Sequence, residues 1–271
     1  MRRHGRDGWN ANVHSLDVVD TVEVAFVAFR GLNLTFAARE GIARHSTPFD
    51  EPVSFGEFVS TPNAGLESQI VDVADVFAYL SHDLDDAVAG EYVTWHDLDS
   101  LPSITALVEA AEQAWERSRP RVWPDEERET LVRKRVVATL VNRLIQDTGA
   151  HSNQLLQEHG IRSPSDVRAS AERLVVPPAA LASLIQSLLA ALTERYYRSA
   201  AVAGADEKAK YVMSQLLAAL VAMPDQVPVR FRDGDDDVIA AATYLASLND
   251  LAAIELARRL GIAAEEAANF R

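Results

Sequence analysis

Apolar side chains recur at helical spacing along most of the chain. Two stripes are the clearest, one in residues 136–145 and one in residues 181–192. Spacings of three, four and seven residues place such side chains on one side of an α-helix, which predicts that both segments are core helices. Their members are Val136, Val137, Leu140, Val141, Leu144 and Ile145 in the first, and Leu181, Leu184, Ile185, Leu188, Leu189 and Leu192 in the second.

Local signals also favour helices. Ser163 is followed by Pro164 and then by Asp166. A serine cap, a proline at the first helical position and an acid three residues after the cap predict the start of a helix here. Strand signals are confined to short pieces such as residues 227–231, which a proline interrupts and would limit to an edge or a loop. The predicted class is all-α.

The predicted organisation is one helical domain. The chain has 271 residues, of which 48% are hydrophobic, so it is long enough to bury a substantial core. No repeat or linker rich in proline, glycine and serine divides it. We expect a flexible N-terminus over residues 1–8, a single domain over 9–262 and a tail over 263–271.

Composition and charge exclude several function classes. Cysteine is absent, which excludes disulfides and thiolate metal sites and favours a reducing compartment, with the cytoplasm as the expectation. Neither a signal peptide nor a membrane-spanning run is recognisable. The net charge of −14 argues against nonspecific nucleic-acid binding, because such a surface repels phosphate backbones.

The segment with most chemical content is residues 66–86, LESQIVDVADVFAYLSHDLDD. On a helix its polar positions share one face, whereas Val73, Phe77, Leu80 and Leu84 turn toward packing. Carboxylates beside an imidazole are suited to a divalent cation, but a solvated acidic helix face has the same pattern. Spacing alone leaves both readings open. The polar positions are Asp75, Tyr79, His82, Asp83 and Asp86.

This segment resembles a signature of the deoxyguanosine triphosphate triphosphohydrolase family, which belongs to the HD-domain superfamily. Upstream, the GLNLT of residues 31–35 and the REGIARH of residues 39–45 are similar to family motifs, as is the YLASLND of residues 244–250 downstream. The order of the motifs is that of the C-terminal two-thirds of such enzymes. The resemblance implies an all-α, HD-domain-like triphosphohydrolase fold that lacks its N-terminal part.

The resemblance also implies site residues. Asp75 occupies the position of the last metal ligand in an H…HD…D set, and Tyr79 and Asp83 occupy positions that contact the nucleotide in relatives. Relatives carry basic residues that reach the triphosphate in the helix that here contains Arg133, Lys134 and Arg135. That triplet is equally typical of a solvated helix face pairing with nearby glutamates.

Full-length relatives hydrolyse a deoxynucleoside triphosphate, often dGTP, to a deoxynucleoside and triphosphate with Mg²⁺ or Mn²⁺. They form oligomers, so we expect either a homo-oligomer or a complex with an HD-bearing subunit.

The chain departs from the family where the metal should bind. Only His4 and His14 precede residue 31, and no His-Asp dipeptide does, so the early ligands are missing. Four further positions have drifted. Where the family motifs have other residues, this chain has Ala11 in place of a histidine, Asp17 in place of an arginine, Thr243 in place of an aspartate and Leu251 in place of an arginine. We therefore expect negligible hydrolysis by this chain alone.

Three hypotheses follow. The chain is a part of an enzyme whose HD portion lies elsewhere, a pseudoenzyme that binds nucleotide or regulates a partner, or a structural helical subunit.

Overall fold

The computed structural model describes residues 10–47, 56–58, 61–118, 123–232 and 236–262. Within these ranges the secondary structure is helical and contains no strand, which confirms the all-α prediction. The α-helices are α1 Ala11–Asp17, α2 Phe36–Arg44, α3 Leu66–Ala89, α4 Pro102–Arg117, α5 Arg128–Glu158, α6 Pro164–Ala169, α7 Ala179–Leu192, α8 Ala200–Ala222, α9 Asp237–Ala246 and α10 Asp250–Arg259.

The chain groups into two compact units. The described part of the first unit lies within residues 10–43 and 200–262, and that of the second within 44–47, 56–58, 61–118 and 123–199. The single domain expected over 9–262 stays a prediction. The flexible start over 1–8 and the tail over 263–271 fall outside the described residues.

Leucines from three helices form the centre of the second unit. Leu80 and Leu84 of α3 meet Leu140 and Leu144 of α5, and Leu188 of α7 completes the contact. All five are fully buried, so α3 is held between its neighbours by dense apolar packing. The two apolar stripes of the sequence are therefore core helices, as predicted.

One member of the first stripe was predicted wrongly. Ile145 of α5 is 56% exposed, although its spacing assigns it to the core. It lies at the edge of the buried stripe and turns toward a groove beside α3, which the periodicity of one helix does not reveal.

The predicted helix start is confirmed. The hydroxyl of Ser163 accepts a hydrogen bond from the backbone N–H of Asp166, and Pro164 is the first residue of α6. The carboxylate of Asp166 in turn accepts the backbone N–H of Arg162 at 2.9 Å. Residues 229–231 form a short 3₁₀ turn, in keeping with the expected loop.

The first unit has its own apolar core. Leu216 and Leu220 of α8 pack with Ala241 of α9 and with Leu256 and Ala257 of α10.

Candidate functional site

Helix α3 presents the acidic face that its sequence predicts. Asp75, His82 and Asp86 are exposed, and Tyr79 and Asp83 are half-buried. The opposite side carries the buried Phe77, Leu80 and Leu84. Because the leucine packing fixes the rotation of α3, Asp75, His82 and Asp86 face solvent, whereas Tyr79 and Asp83 lie at the border of the core.

Asp83 is bound by a tyrosine from a distant part of the chain. A π-helical segment, Thr193–Tyr197, continues α7 and brings Tyr197 against α3. The hydroxyl of Tyr197 donates a hydrogen bond to the Asp83 carboxylate. Burial first, and this hydrogen bond second, hold the pKa of Tyr197 well above its usual value. Aromatic residues at helical spacing usually pack, so the sequence pattern alone does not predict this hydrogen bond.

More tyrosines surround this contact. The rings of Tyr196 and Tyr197 lie 5.6 Å apart, and those of Tyr92 and Tyr196 lie 5.2 Å apart. Burial, followed by the negative charges of Asp86 and Asp83, raises the pKa of Tyr196. The predicted nucleotide contacts Tyr79 and Asp83 thus border a group of aromatic side chains.

A second aspartate of α3 has a structural role. Asp72 is only 5% exposed, accepts the backbone N–H of Ser46 at 2.6 Å and forms an ion pair with Arg173. One turn earlier, the Oε1 atom of Gln69 accepts the backbone N–H of Leu174 at 2.7 Å. These bonds, with one from the backbone N–H of Val175 to the same Gln69 oxygen at 3.1 Å, tie residues 173–175 to α3, and no local sequence pattern predicts them.

Asp75 and His82 are far apart along α3 for ligands of one metal ion. At a rise of about 1.5 Å per residue, His82 lies about 10 Å further along the axis, whereas metal ligands bind within about 2.6 Å of one ion. In the described part of the chain, no group of three or more histidine, aspartate or glutamate side chains is arranged to hold a metal. These residues do not fit a complete divalent-cation site, and Asp75 as a ligand stays a prediction.

The His96-Asp97 dipeptide belongs to a helix cap. Asp97 and Thr94 cap each other reciprocally, and the hydrogen bonds from Thr94 lower the pKa of Asp97. Arg195 lies 2.9 Å from the same carboxylate, and His96 contacts Asp99 at 2.7 Å.

The three basic side chains of α5 point in different directions. Arg133 forms an ion pair with Asp85 of α3 and donates to its carbonyl oxygen at 3.1 Å. Lys134 and Arg135 are exposed. Consecutive helical residues point about 100° apart, so the three do not converge on one ligand. Their role in binding substrate stays a prediction.

A groove with a volume of about 580 Å³ runs between α3 and α5. We call it the α3/α5 groove. Small residues, including Ala74, Ala78 and Gly149, contribute to its lining, together with Ile70 and Ile145, which are both more than half exposed. His82 also borders it, and Asp75 follows Ala74 directly.

Two hydroxyls lie along the α5 wall of this groove. The side chains of Thr148 and Ser152 are buried, and their oxygens have no hydrogen-bond partner among the described residues. Buried hydroxyls usually form hydrogen bonds. These two can therefore still bind a polar group within an otherwise apolar surface.

The fold and the α3 face define an all-α protein with an acidic helix face beside a groove. No family model matches the chain. It is 31% identical over 261 residues to a deoxyguanosinetriphosphate triphosphohydrolase-like protein of Syntrophus aciditrophicus, covering 92% of this chain and 63% of that protein. A protein of the same name from Azoarcus sp. is 31% identical over 265 residues, covering 96% and 67%. A third, from Geobacter sulfurreducens, is 29% identical over 263 residues, covering 94% and 65%.

The chain belongs to the deoxyguanosinetriphosphate triphosphohydrolase-like protein family, as the motif resemblance predicts. It spans about two thirds of the length of these curated relatives. Over the described ranges, no helix has both the length and the apolar character that crossing a membrane requires.

The two aspartates of α3 should respond differently to amide substitution. Asp72→Asn removes the negative charge facing Arg173 and Ser46, and should lower the free energy of unfolding by about 2 kcal/mol. Asp75→Asn changes an exposed side chain and should alter it by less than about 0.5 kcal/mol. Urea unfolding of both variants measures the difference. Equal effects would contradict the structural role assigned to Asp72.

Tyr197 should resist ionisation in the folded protein. Its raised folded-state pKa contributes stability that is fully present below the ordinary tyrosine value near 10, and that is lost as the pH rises through the folded value. Near pH 10.5, the tyrosinate absorbance of native wild type and Tyr197→Phe should therefore be nearly equal, whereas in denaturant they should differ by about three-quarters of one tyrosinate, the ionised fraction of a tyrosine with a pKa near 10. A difference of that size between the native proteins would show that Tyr197 titrates normally.

Proposed function

We propose that this chain is a truncated or degenerate dNTP triphosphohydrolase-like protein, with dGTP as the reference substrate, that does not hydrolyse nucleotides by itself. The observation that carries the proposal is the position of Asp75. The predicted metal ligand is exposed on α3 beside the α3/α5 groove, and the described residues around it supply no further ligand set. A single carboxylate is too little to hold a divalent cation in place.

The α3/α5 groove supports a site made of two parts, the groove itself and a helix supplied by another segment or chain. Ala74, Ala78 and Gly149 leave room for the backbone of another helix to approach, and Ile70 and Ile145 offer apolar contacts on either side. A helix seated there would bring its own side chains close to Asp75 and His82. The relatives are about half as long again as the matched region, so the rest of such a protein is long enough to provide that helix.

The predicted substrate contacts also favour inactivity in isolation. The Asp83 carboxylate accepts a hydrogen bond from the hydroxyl of Tyr197, and Arg133 forms an ion pair with Asp85. A nucleotide that used either side chain would first have to break these contacts. The residues around the α3 face are thus organised to stabilise one another more than to receive a triphosphate.

The alternative is a non-catalytic subunit, which binds nucleotide or regulates and supports an HD-bearing partner. This alternative is favoured by the same contacts, that of Asp83 with Tyr197 and that of Arg133 with Asp85. Under this alternative, the α3/α5 groove is an assembly surface and Asp75 need not bind a metal.

Triphosphate release tests the proposal. The purified chain is incubated with each of the four dNTPs and with Mg²⁺ or Mn²⁺, beside Asp75→Ala as the matched control. We expect both proteins to release triphosphate only at the background rate, because nucleophile activation and charge neutralisation at the phosphate lack a fixed metal.

Robust release that disappears in Asp75→Ala would overturn the proposal and reveal an unrecognised ligand set. If neither protein turns over, thermal stabilisation by dNTP distinguishes the candidates. A raised melting temperature favours the nucleotide-binding subunit, and an unchanged one favours the structural subunit.

A further inference from the structure

Two hydroxyls of α5 are buried without a hydrogen bond. Thr148 and Ser152 are 3% and 7% exposed, both line the α3/α5 groove, and their side-chain oxygens bind no group among the described residues. On the same helix, the hydroxyl of Thr139 instead donates to the carbonyl oxygen of Arg135 at 2.7 Å, which is the usual bond of a helical threonine to the preceding turn. Because Thr148 and Ser152 do not make that bond, they can still bind a group from outside.

Gly149 lies between these two residues, in the interior of α5. Glycine lowers the stability of a helix interior relative to alanine. A Cβ atom at Gly149 would meet nothing within 4 Å, so no contact within the described structure requires glycine here. The space that Gly149 leaves opens onto the groove. It allows the backbone of another segment to come close to the hydroxyls of Thr148 and Ser152.

The shape of the groove favours a helix over a compact small molecule. Its lining extends from Leu66 to His82 on α3 and from Val141 to Leu156 on α5. At a rise of about 1.5 Å per residue, each wall is about 22–24 Å long, which matches a helix of about 15 residues. Small-molecule sites are instead compact pockets that enclose most of their ligand. Among the described lining residues His82 is the one titratable side chain, so the face of a helix seated there should be largely apolar.

We propose that Thr148 and Ser152 form a hydrogen-bonding site for one uncharged polar side chain of a helix that docks in the α3/α5 groove. The helix belongs to the counterpart of the part that precedes the matched region in the longer relatives. This inference rests on the proposed function, which places a helix in the groove, and it names the contact that positions that helix. The match spans 63% and 67% of two relatives, so about a third of each is available to supply it.

The chemistry of the two hydroxyls selects the docking side chain. Each hydroxyl can donate one hydrogen bond and accept two. Residues four apart on a helix have Cβ atoms about 5–6 Å from each other, so one carboxamide can accept from one hydroxyl and donate to the other. A charged group would be buried against apolar walls without compensation. An asparagine or glutamine on an apolar helix face therefore fits, and it sets the position of the helix along the groove, as single buried polar residues do in coiled coils.

Binding of defined segments tests the proposal. The probes are the N-terminal parts of the relatives from Syntrophus aciditrophicus, Azoarcus sp. and Geobacter sulfurreducens, each ending where its match to this chain begins. Each probe is titrated against the immobilised full chain. We expect at least one to bind, and we expect Gly149→Leu to weaken that binding at least about tenfold, because the leucine fills the space through which the helix approaches. Leucine favours a helix more than glycine does, so this variant should fold, which circular dichroism checks.

Removal of the two hydroxyls should have different effects on binding and on stability. In the double variant Thr148→Val/Ser152→Ala, the docked polar side chain loses its partners, so the dissociation constant should rise about tenfold. The double variant alone should melt at the same temperature as the wild type or higher, because two buried polar groups without hydrogen bonds are gone. Thr139→Val is the matched control. Its hydroxyl bonds to its own helix at an exposed position, so binding of the probes should not change.

Four results would overturn the proposal. They are no binding by any of the three probes, binding that is indifferent to Gly149→Leu, a double variant that binds as tightly as the wild type, and a double variant that melts at a lower temperature, which would show that the hydroxyls already stabilise the chain. These results are separate from turnover. A chain that releases no triphosphate and binds no probe contradicts this inference alone, whereas triphosphate release by the chain overturns the proposed function whatever the groove binds.

Discussion

The packing of α3 against α5 and α7 is the constraint on which the candidate site depends. Leu80 and Leu84 are fully buried between leucines of the two neighbouring helices, so α3 has one rotation and one register. With that rotation fixed, the helical period determines which side chains of α3 face its neighbours and which face solvent. Asp72 turns inward to Arg173, and Asp75 turns outward three residues later. The same contact that stabilises the unit therefore determines which carboxylate is available for chemistry.

Much of this architecture could be predicted from the sequence because it is local. The spacing of leucines in α5 and α7, the cap at Ser163 and the two-sided character of α3 all depend on neighbours within a few turns. Ile145 shows where such reasoning fails. Its spacing is that of a core residue, but its exposure depends on what lies beside α3 and α5, which is a property of the assembled unit.

The side-chain contacts around the site could not be predicted from the sequence. Asp83 and Tyr197 are 114 residues apart, and Asp72 and Arg173 are 101 apart, so no local pattern connects them. Motif resemblance carried the family assignment, which the relatives confirm, and it marked Asp75 and Asp83 as positions of interest. It could not show that Asp83 is already engaged, since a motif records residue types and not their partners.

Metal binding decides whether Asp75 is a lone ligand in this chain. Mn²⁺ binding to the wild-type chain and to Asp75→Ala can be followed by electron paramagnetic resonance of the free ion. We expect weak binding that is the same in both proteins. A tight site with one Mn²⁺ per chain that is lost in Asp75→Ala would contradict it, since such a site needs ligands that the α3 face does not supply by itself.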